Sequence, residues 1–172
     1  MQYEQIDSGL YQQVQALLRE DGLTLEAPAL RQMTRHLTVI QAWQPMVSLV
    51  SGKDLTELWR RHVADALSLA HSVRRFVGGE AGGLLDIGSG AGFPALTLKA
   101  LFPEMPLWMI ERSEKKVGFL RKTVASMGLE GVSIVHGEFP SGAPACSATV
   151  MTARAVERPM RLLSAFSGRL AD

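Results

Sequence analysis

The run Leu85-Asp86-Ile87-Gly88-Ser89-Gly90-Ala91-Gly92-Phe93-Pro94 constrains this chain more than any other segment. Apolar residues lead into it and a helical pattern leaves it, so it reads as a strand, a tight turn and a helix start. Glycine at 88, 90 and 92 permits positive φ and lets a ligand approach the backbone with no Cβ in the way. Unpaired N–H groups where the helix begins favour a negative group such as a carboxylate. A loop of this kind belongs at the carboxyl end of a strand in an α/β sheet, where such folds bind their ligands.

The rest of the chain supports that sheet. After residue 83, short apolar runs (Leu84 to Ile87, Leu107 to Ile110, Val132 to Val135 and Thr149 to Thr152) alternate with helical patterns at about 92–102 and 114–127. Gly128 closes the second helix at a C′-like position. This rhythm predicts crossover connections and a parallel, Rossmann-like sheet over 84–172. Residues 1–77 read instead as a helical cap. Ile6, Leu10, Val14, Leu17 and Leu18 share one stripe, as do Leu30, Met33, Leu37 and Ile40. Pro28 suits an early helical position, and Pro45 ends the second helix near Trp43. Asp54-Leu-Thr-Glu57 resembles a capping box for a third helix running to Val77, with Leu58, Leu69 and Val73 as core contacts. The glycine-rich stretch 78–83 reads as a flexible break between the two parts.

Composition narrows the function classes. With 47% hydrophobic and 20% charged residues, the chain suits a soluble globular protein, and a net charge of +1 leaves any polyanion contact to local clusters. The lone Cys146 allows no internal disulfide or cysteine zinc site and fits a reducing compartment. The start at Met1-Gln2-Tyr3-Glu4-Gln5 lacks signal-peptide features, and no apolar run is long enough for a membrane span. A cytoplasmic protein is expected. His36, His71 and His136 have no carboxylate-rich neighbourhood, so no metal site is expected.

Two ligand classes use a glycine loop of this geometry. A dinucleotide fingerprint, G-x-G-x-x-G, needs glycine at 93, where this chain has Phe93. The spacing here is acidic-x-G-x-G-x-G, the pattern of S-adenosylmethionine methyltransferases. The cofactor's carboxylate is then expected to face the loop from Gly88 through Ser89, Gly90, Gly92 and Phe93, with Asp86 near its cationic end. Glu111 ends the second strand and can accept hydrogen bonds from both ribose hydroxyls. Arg112 follows it at the same rim. Glu138 and Phe139 end the third strand, where the adenine ring belongs.

The acceptor is less constrained. Thr152-Ala153-Arg154-Ala155 occupies the place where exocyclic-amine methyltransferases carry an Asn/Asp-Pro-Pro-aromatic motif, and Cys146 lacks the Pro-Cys context of carbon-5 pyrimidine chemistry. A purine ring nitrogen or a small molecule remains. Guanine N7 has a free lone pair and loses no proton, so positioning and electrostatics suffice. Lys115, Lys116, Arg121 and Lys122 on one helix, with Arg158, are the candidates for RNA phosphate contacts.

Four segments taken together carry a resemblance: Leu85 to Pro94, Lys116-Val-Gly-Phe-Leu-Arg121, Thr152-Ala-Arg-Ala-Val156 and Arg61-His-Val-Ala-Asp65. From about Leu37 to Leu163 the chain resembles the bacterial 16S rRNA guanine-N7 methyltransferase family. The resemblance implies S-adenosylmethionine as donor, the guanine at position 527 of 16S rRNA as acceptor and the small ribosomal subunit as partner. It implies donor-loop roles for Asp86, Gly88, Gly90 and Gly92, a ribose contact for Glu111 and an adenine-side contact for Glu138. Arg154 matches the family's arginine beside donor and RNA, and His62 and Asp65 match its histidine–aspartate helix motif. In the family pattern an asparagine follows the tryptophan where this chain has Trp43-Gln44, and further strands follow the fourth. A C-terminally short core with an exposed strand edge is therefore expected. Two other readings stay open on the residues alone, a small-molecule methyltransferase and a non-catalytic donor-binding module.

Overall fold

A computed structural model describes residues 8–154 apart from 21, 23, 51–54, 78–81, 143 and 145. Ile6, Asp54, most of the glycine-rich break and Arg158 lie outside the described residues. The helical part contains α1 (Ser8–Glu20), α2 (Ala27–Trp43), a short α3 (Leu55–Leu58), a π-helical turn (Trp59–Val63) and α4 (Ala64–Val77). Leu10, Val14, Leu17 and Leu18 of α1 and Leu30, Met33, Leu37 and Ile40 of α2 are all buried, as their spacing predicts. Pro28 lies in the first turn of α2. The helix stops at Trp43; Gln44 keeps helical angles (φ −50°, ψ −37°), but Pro45 has no N–H with which to continue the ladder.

The third predicted helix departs from expectation. Its middle is a π turn in which the Ala64 N–H donates to the Trp59 carbonyl five residues back. The wider turn delays the phase of everything after it by about a quarter of a helical circuit. Leu69, expected in the core, is consequently 40% exposed, whereas Leu58 and Val73 are buried.

The sheet consists of β1 (Gly83–Ile87), β2 (Leu107–Glu111), β3 (Val132–His136) and β4 (Ala148–Ala153), in the order β3-β2-β1-β4. All pairings are parallel, and Ile87 lies level with Ile110 and Ala153. Parallel neighbours need crossovers. Helices α5 (Ala95–Leu101) and α6 (Glu114–Met127) supply two of them, and α6 ends on Gly128 in the left-handed region at φ 66°. β1 is buried along its whole length, while β3 and β4 are half-buried edges among the described residues. One apolar cluster runs from Leu10 through Leu37 and Trp59 to Leu84, Leu96 and Phe119, so the helices of both parts share a core.

Gly83 belongs to β1 rather than to a flexible break. A Cβ there would lie 2.2 Å from Trp108 Cζ3 and 3.2 Å from the Pro106 carbonyl oxygen. The indole needs the empty face of a glycine. Gly83→Ala should lower stability by about 1–3 kcal/mol through overpacking, read as a drop in Tm. An unchanged Tm would show that Trp108 turns aside freely.

Candidate functional site

The carboxyl ends of β1, β2 and β3 open into a cavity of about 590 Å³, within the usual size range of small-molecule sites. Its wall includes Gly88, Ser89, Gly90, Ala91 and Phe93 of the loop, Glu111 and Arg112 after β2, and Gly137, Glu138 and Phe139 after β3. His62, Lys116 and Arg154 complete it from the helical part, α6 and the end of β4. The structure thus brings most of the sequence-predicted residues to one place. Gly92, Asp86 and Asp65 are not on the wall.

The loop is built from its own hydrogen bonds. Gly88, Gly90 and Gly92 have φ of 69°, 52° and 86°, a region that side chains disfavour. The N–H groups of Gly88 and Ser89 both donate to the Ile110 carbonyl, and that of Gly92 to Ser89. The Gly90 N–H donates to Glu111 Oε2 at 2.8 Å. The expectation of a loop with free amides therefore needs correction: these four are satisfied within the protein, leaving Ala91 and Phe93 without an intramolecular acceptor among the described residues. Gly92 serves inward packing, since a Cβ on it would meet Leu96 Cδ1 at 2.5 Å. At Gly90 the same atom would meet only the Gly88 oxygen, at 3.7 Å, so among the described residues the space above the loop is open.

Glu111 holds the floor of the site. Besides Gly90, its carboxylate accepts the Ser113 N–H through Oε1 at 2.8 Å. Two lone-pair directions remain for a ligand's hydroxyls. Phe139 packs with Leu85, Ile87 and Ile110 as an apolar wall, and Glu138 is exposed beside it.

Asp86 is 1% exposed and lies off the cavity. Thr152 donates to its Oδ1 at 2.6 Å, and Oδ2 is buried without a partner among the described residues. Burial pushes its carboxyl up to about 6, against the Thr152 hydrogen bond and with help from the Glu111 charge.

On the opposite wall, Arg154 donates to the Arg61 carbonyl at 2.9 Å and stands 3.9 Å from Asp65. It fastens the end of β4 to the π turn, and such turns recur at functional sites. Both ring nitrogens of His62 are buried and have no partner among the described residues. Burial, then the Arg154 and Arg61 charges, hold that ring below the ordinary histidine range. Its ring stacks on Phe93 at 5.1 Å and 17°.

Sequence reading missed Leu49 and Val50, which also line the cavity. Gln44 holds them: its Oε1 accepts the N–H groups of both, and its Nε2 donates to the Val50 carbonyl at 2.7 Å. Also missed was His36, whose Nε2 lies 2.7 Å from the Ala91 carbonyl oxygen behind the loop. Of the RNA candidates, Lys116 reaches the cavity wall, while Lys115, Arg121 and Lys122 are exposed on α6.

No cluster of metal-binding side chains occurs among the described residues, and none of their helices is long and apolar enough to cross a membrane.

Comparison with known proteins agrees with this architecture. A solved structure of coclaurine N-methyltransferase, bound to N-methylheliamine and SAH, superposes with a TM-score of 0.51 at 11% identity, covering 100% of this chain and 58% of that one. At that identity the likeness concerns the fold, which is that of class I S-adenosylmethionine methyltransferases. Ribosomal RNA small subunit methyltransferase G of Leuconostoc mesenteroides is 35% identical over 120 residues, covering 70% of this chain and 50% of the relative. The protein of the same name from Streptococcus pyogenes is 34% identical over 151 residues, covering 86% and 62%. The chain thus spans half to about three-fifths of the length of these relatives. The family model for rRNA small subunit methyltransferase G matches residues 29–170, from the start of α2 through the glycine loop, Glu111 and Arg154. Sharing that stretch and the sheet that frames the cavity, the chain belongs to the rRNA small subunit methyltransferase G family.

Proposed function

We propose that this chain carries the donor site of an S-adenosylmethionine-dependent methyltransferase that acts on guanine N7 in 16S rRNA of the small ribosomal subunit. A cytoplasmic location follows from that substrate. In this reading residues 1–77 cap the site and 84–172 form the methyltransferase core. The observation that carries it is Glu111 clasping the glycine loop in a cavity that Phe139 also lines.

The residues present suit the donor. Space is open above Gly90, lone pairs of Glu111 remain for ribose hydroxyls, and Phe139 offers an apolar surface for adenine beside the Glu138 acceptor. When bound, S-adenosylmethionine supplies an electrophilic methyl group on a sulfonium. The protein's part is orientation and exclusion of water. Guanine N7 attacks with its own lone pair, so no general base is required. Thr152 is engaged with Asp86, consistent with a site that abstracts no proton.

His62 and Arg154 form the acceptor side. A neutral imidazole offers one donor and one acceptor, both unused among the described residues, and Arg154 offers a cation for RNA. Lys115 and Lys116 stand in the first turn of α6, where the helix dipole disfavours cations by about 0.3–1 kcal/mol. A role outside the helix accounts for them, and phosphate contact is the natural one. RNA affinity should then fall with salt by about 0.7–0.9 log units per log unit for each neutralised phosphate.

Two measurements test the reading. Calorimetry of the 172-residue chain should show saturable binding of S-adenosylmethionine. Incubation with unmodified small subunits should place a methyl group on guanine N7. No heat of binding sinks the donor site, and a protein that binds donor but transfers nothing to 16S rRNA sinks the acceptor assignment.

A further inference from the structure

His36 sits where a solvent-facing role is out of reach. It is 1% exposed on the buried stripe of α2, 55 residues before the loop it touches. Its Nε2 is 2.7 Å from the Ala91 carbonyl oxygen, and since a carbonyl only accepts, that nitrogen carries the proton. The same peptide unit donates its other end, the Gly92 N–H, to the Ser89 carbonyl at 2.7 Å. The Ala91–Gly92 peptide is therefore held at both ends. His36 also packs on Phe93, ring centroids 4.5 Å apart, while His62 stacks on Phe93 at 5.1 Å. One buried ring thus touches both the backbone of the loop and the aromatic residue that ends it.

We propose that His36 is a positioning residue of the donor site, fixing the Ala91–Gly92 peptide from behind so that the loop stands ready for the donor. The proposal rests on the donor-site reading above. The Ala91 and Phe93 amides, which have no intramolecular acceptor among the described residues, flank this peptide and belong to cavity-lining residues. Their direction depends on the peptide plane that His36 holds. A loop free to turn would present them in the right orientation only part of the time, and apparent affinity falls by that fraction. Burial holds His36 down at about 4, so the ring that donates through Nε2 is neutral.

The test compares two variants with wild type, using S-adenosylmethionine as the titrant and thermal melting as a check on folding. His36→Phe keeps a flat ring against Phe93 but leaves the Ala91 carbonyl buried and unpaired. His36→Gln restores an N–H donor at nearly the same reach. The Phe variant should bind about tenfold more weakly or worse, and the Gln variant should return to within about threefold of wild type. A folded Phe variant with wild-type affinity overturns the proposal, as does equal loss in both variants. Failure of wild type to bind would instead overturn the donor site itself. Should the Phe variant not fold, nitrogen-15 spectra of the wild-type histidines decide. The His36 Nε2 must be protonated in a neutral ring and must shift on donor binding; an Nδ1–H tautomer or an unmoved resonance overturns the assignment.

Discussion

Glu111→Gln should weaken donor binding by about 100-fold or more, although the two side chains have nearly the same volume. The carboxylate receives the Gly90 N–H on one oxygen and the Ser113 N–H on the other. A carboxamide has a single oxygen, so one of those amides must then face an NH2 group, donor against donor. Either the loop lifts from the end of β2 or the first turn of α6 shifts. Hydrogen bonds to a charged acceptor contribute about 1.5–3 kcal/mol each, and a buried donor left unmade costs a similar amount. If a ribose also draws on the remaining lone pairs, the loss compounds, and 100-fold corresponds to about 2.8 kcal/mol. Glu111→Asp offers a contrast, keeping both acceptor oxygens on a shorter stem, so it should fall between wild type and Gln. Calorimetric titration with S-adenosylmethionine reads all three. A Gln variant within threefold of wild type would mean that the carboxylate neither shapes the loop nor meets the donor.

Much of this site is legible in the sequence because its constraints are local. Positive φ at 88, 90 and 92 demands glycine whatever surrounds it, and apolar runs of strand length fix where β1, β2 and β3 end. Asp86, Glu111 and Glu138 follow from those ends. What escapes the sequence depends on partners distant along the chain. His36 reads as a polar interruption of an apolar stripe until the Ala91 carbonyl is placed against it. Leu49 and Val50 look like ordinary apolar residues, and only the reach of Gln44 turns them toward the cavity. The π turn at 59–63 leaves no mark in hydrophobic spacing, yet it decides the exposure of Leu69 and the place of His62. Amide usage in the loop is also hidden. Glycine spacing says that the backbone can come close to a ligand, not that Glu111 and Ile110 already hold three of its N–H groups.

Two buried groups should give the protein opposing responses to acid, and removing one should expose the other. Asp86 is raised from 3.8 to about 6, chiefly by burial. Between those values the folded protein holds a proton that the unfolded chain has lost, so this group makes stability fall as pH rises from about 4 to 6. Its full span is about 3 kcal/mol at 1.36 kcal/mol per pH unit. His36 runs the other way. It is lowered from 6.5 to about 4 by burial, so the unfolded chain takes up a proton that the folded one refuses. That contribution is complete above 6.5 and is lost as pH falls toward 4, again over about 3 kcal/mol. His62, also held low by burial, adds to the same slope. Because the windows overlap, Asp86 offsets much of the histidine slope, and wild-type stability should rise only gently from about pH 4.5 to 6. Asp86→Asn removes the falling component, so stability of that variant should climb with pH across the window. His36→Phe removes most of the rising one, so its stability should decline. Denaturant midpoints at a series of pH values measure both slopes, and parallel curves for all three proteins would show that neither group is held away from its ordinary ionisation.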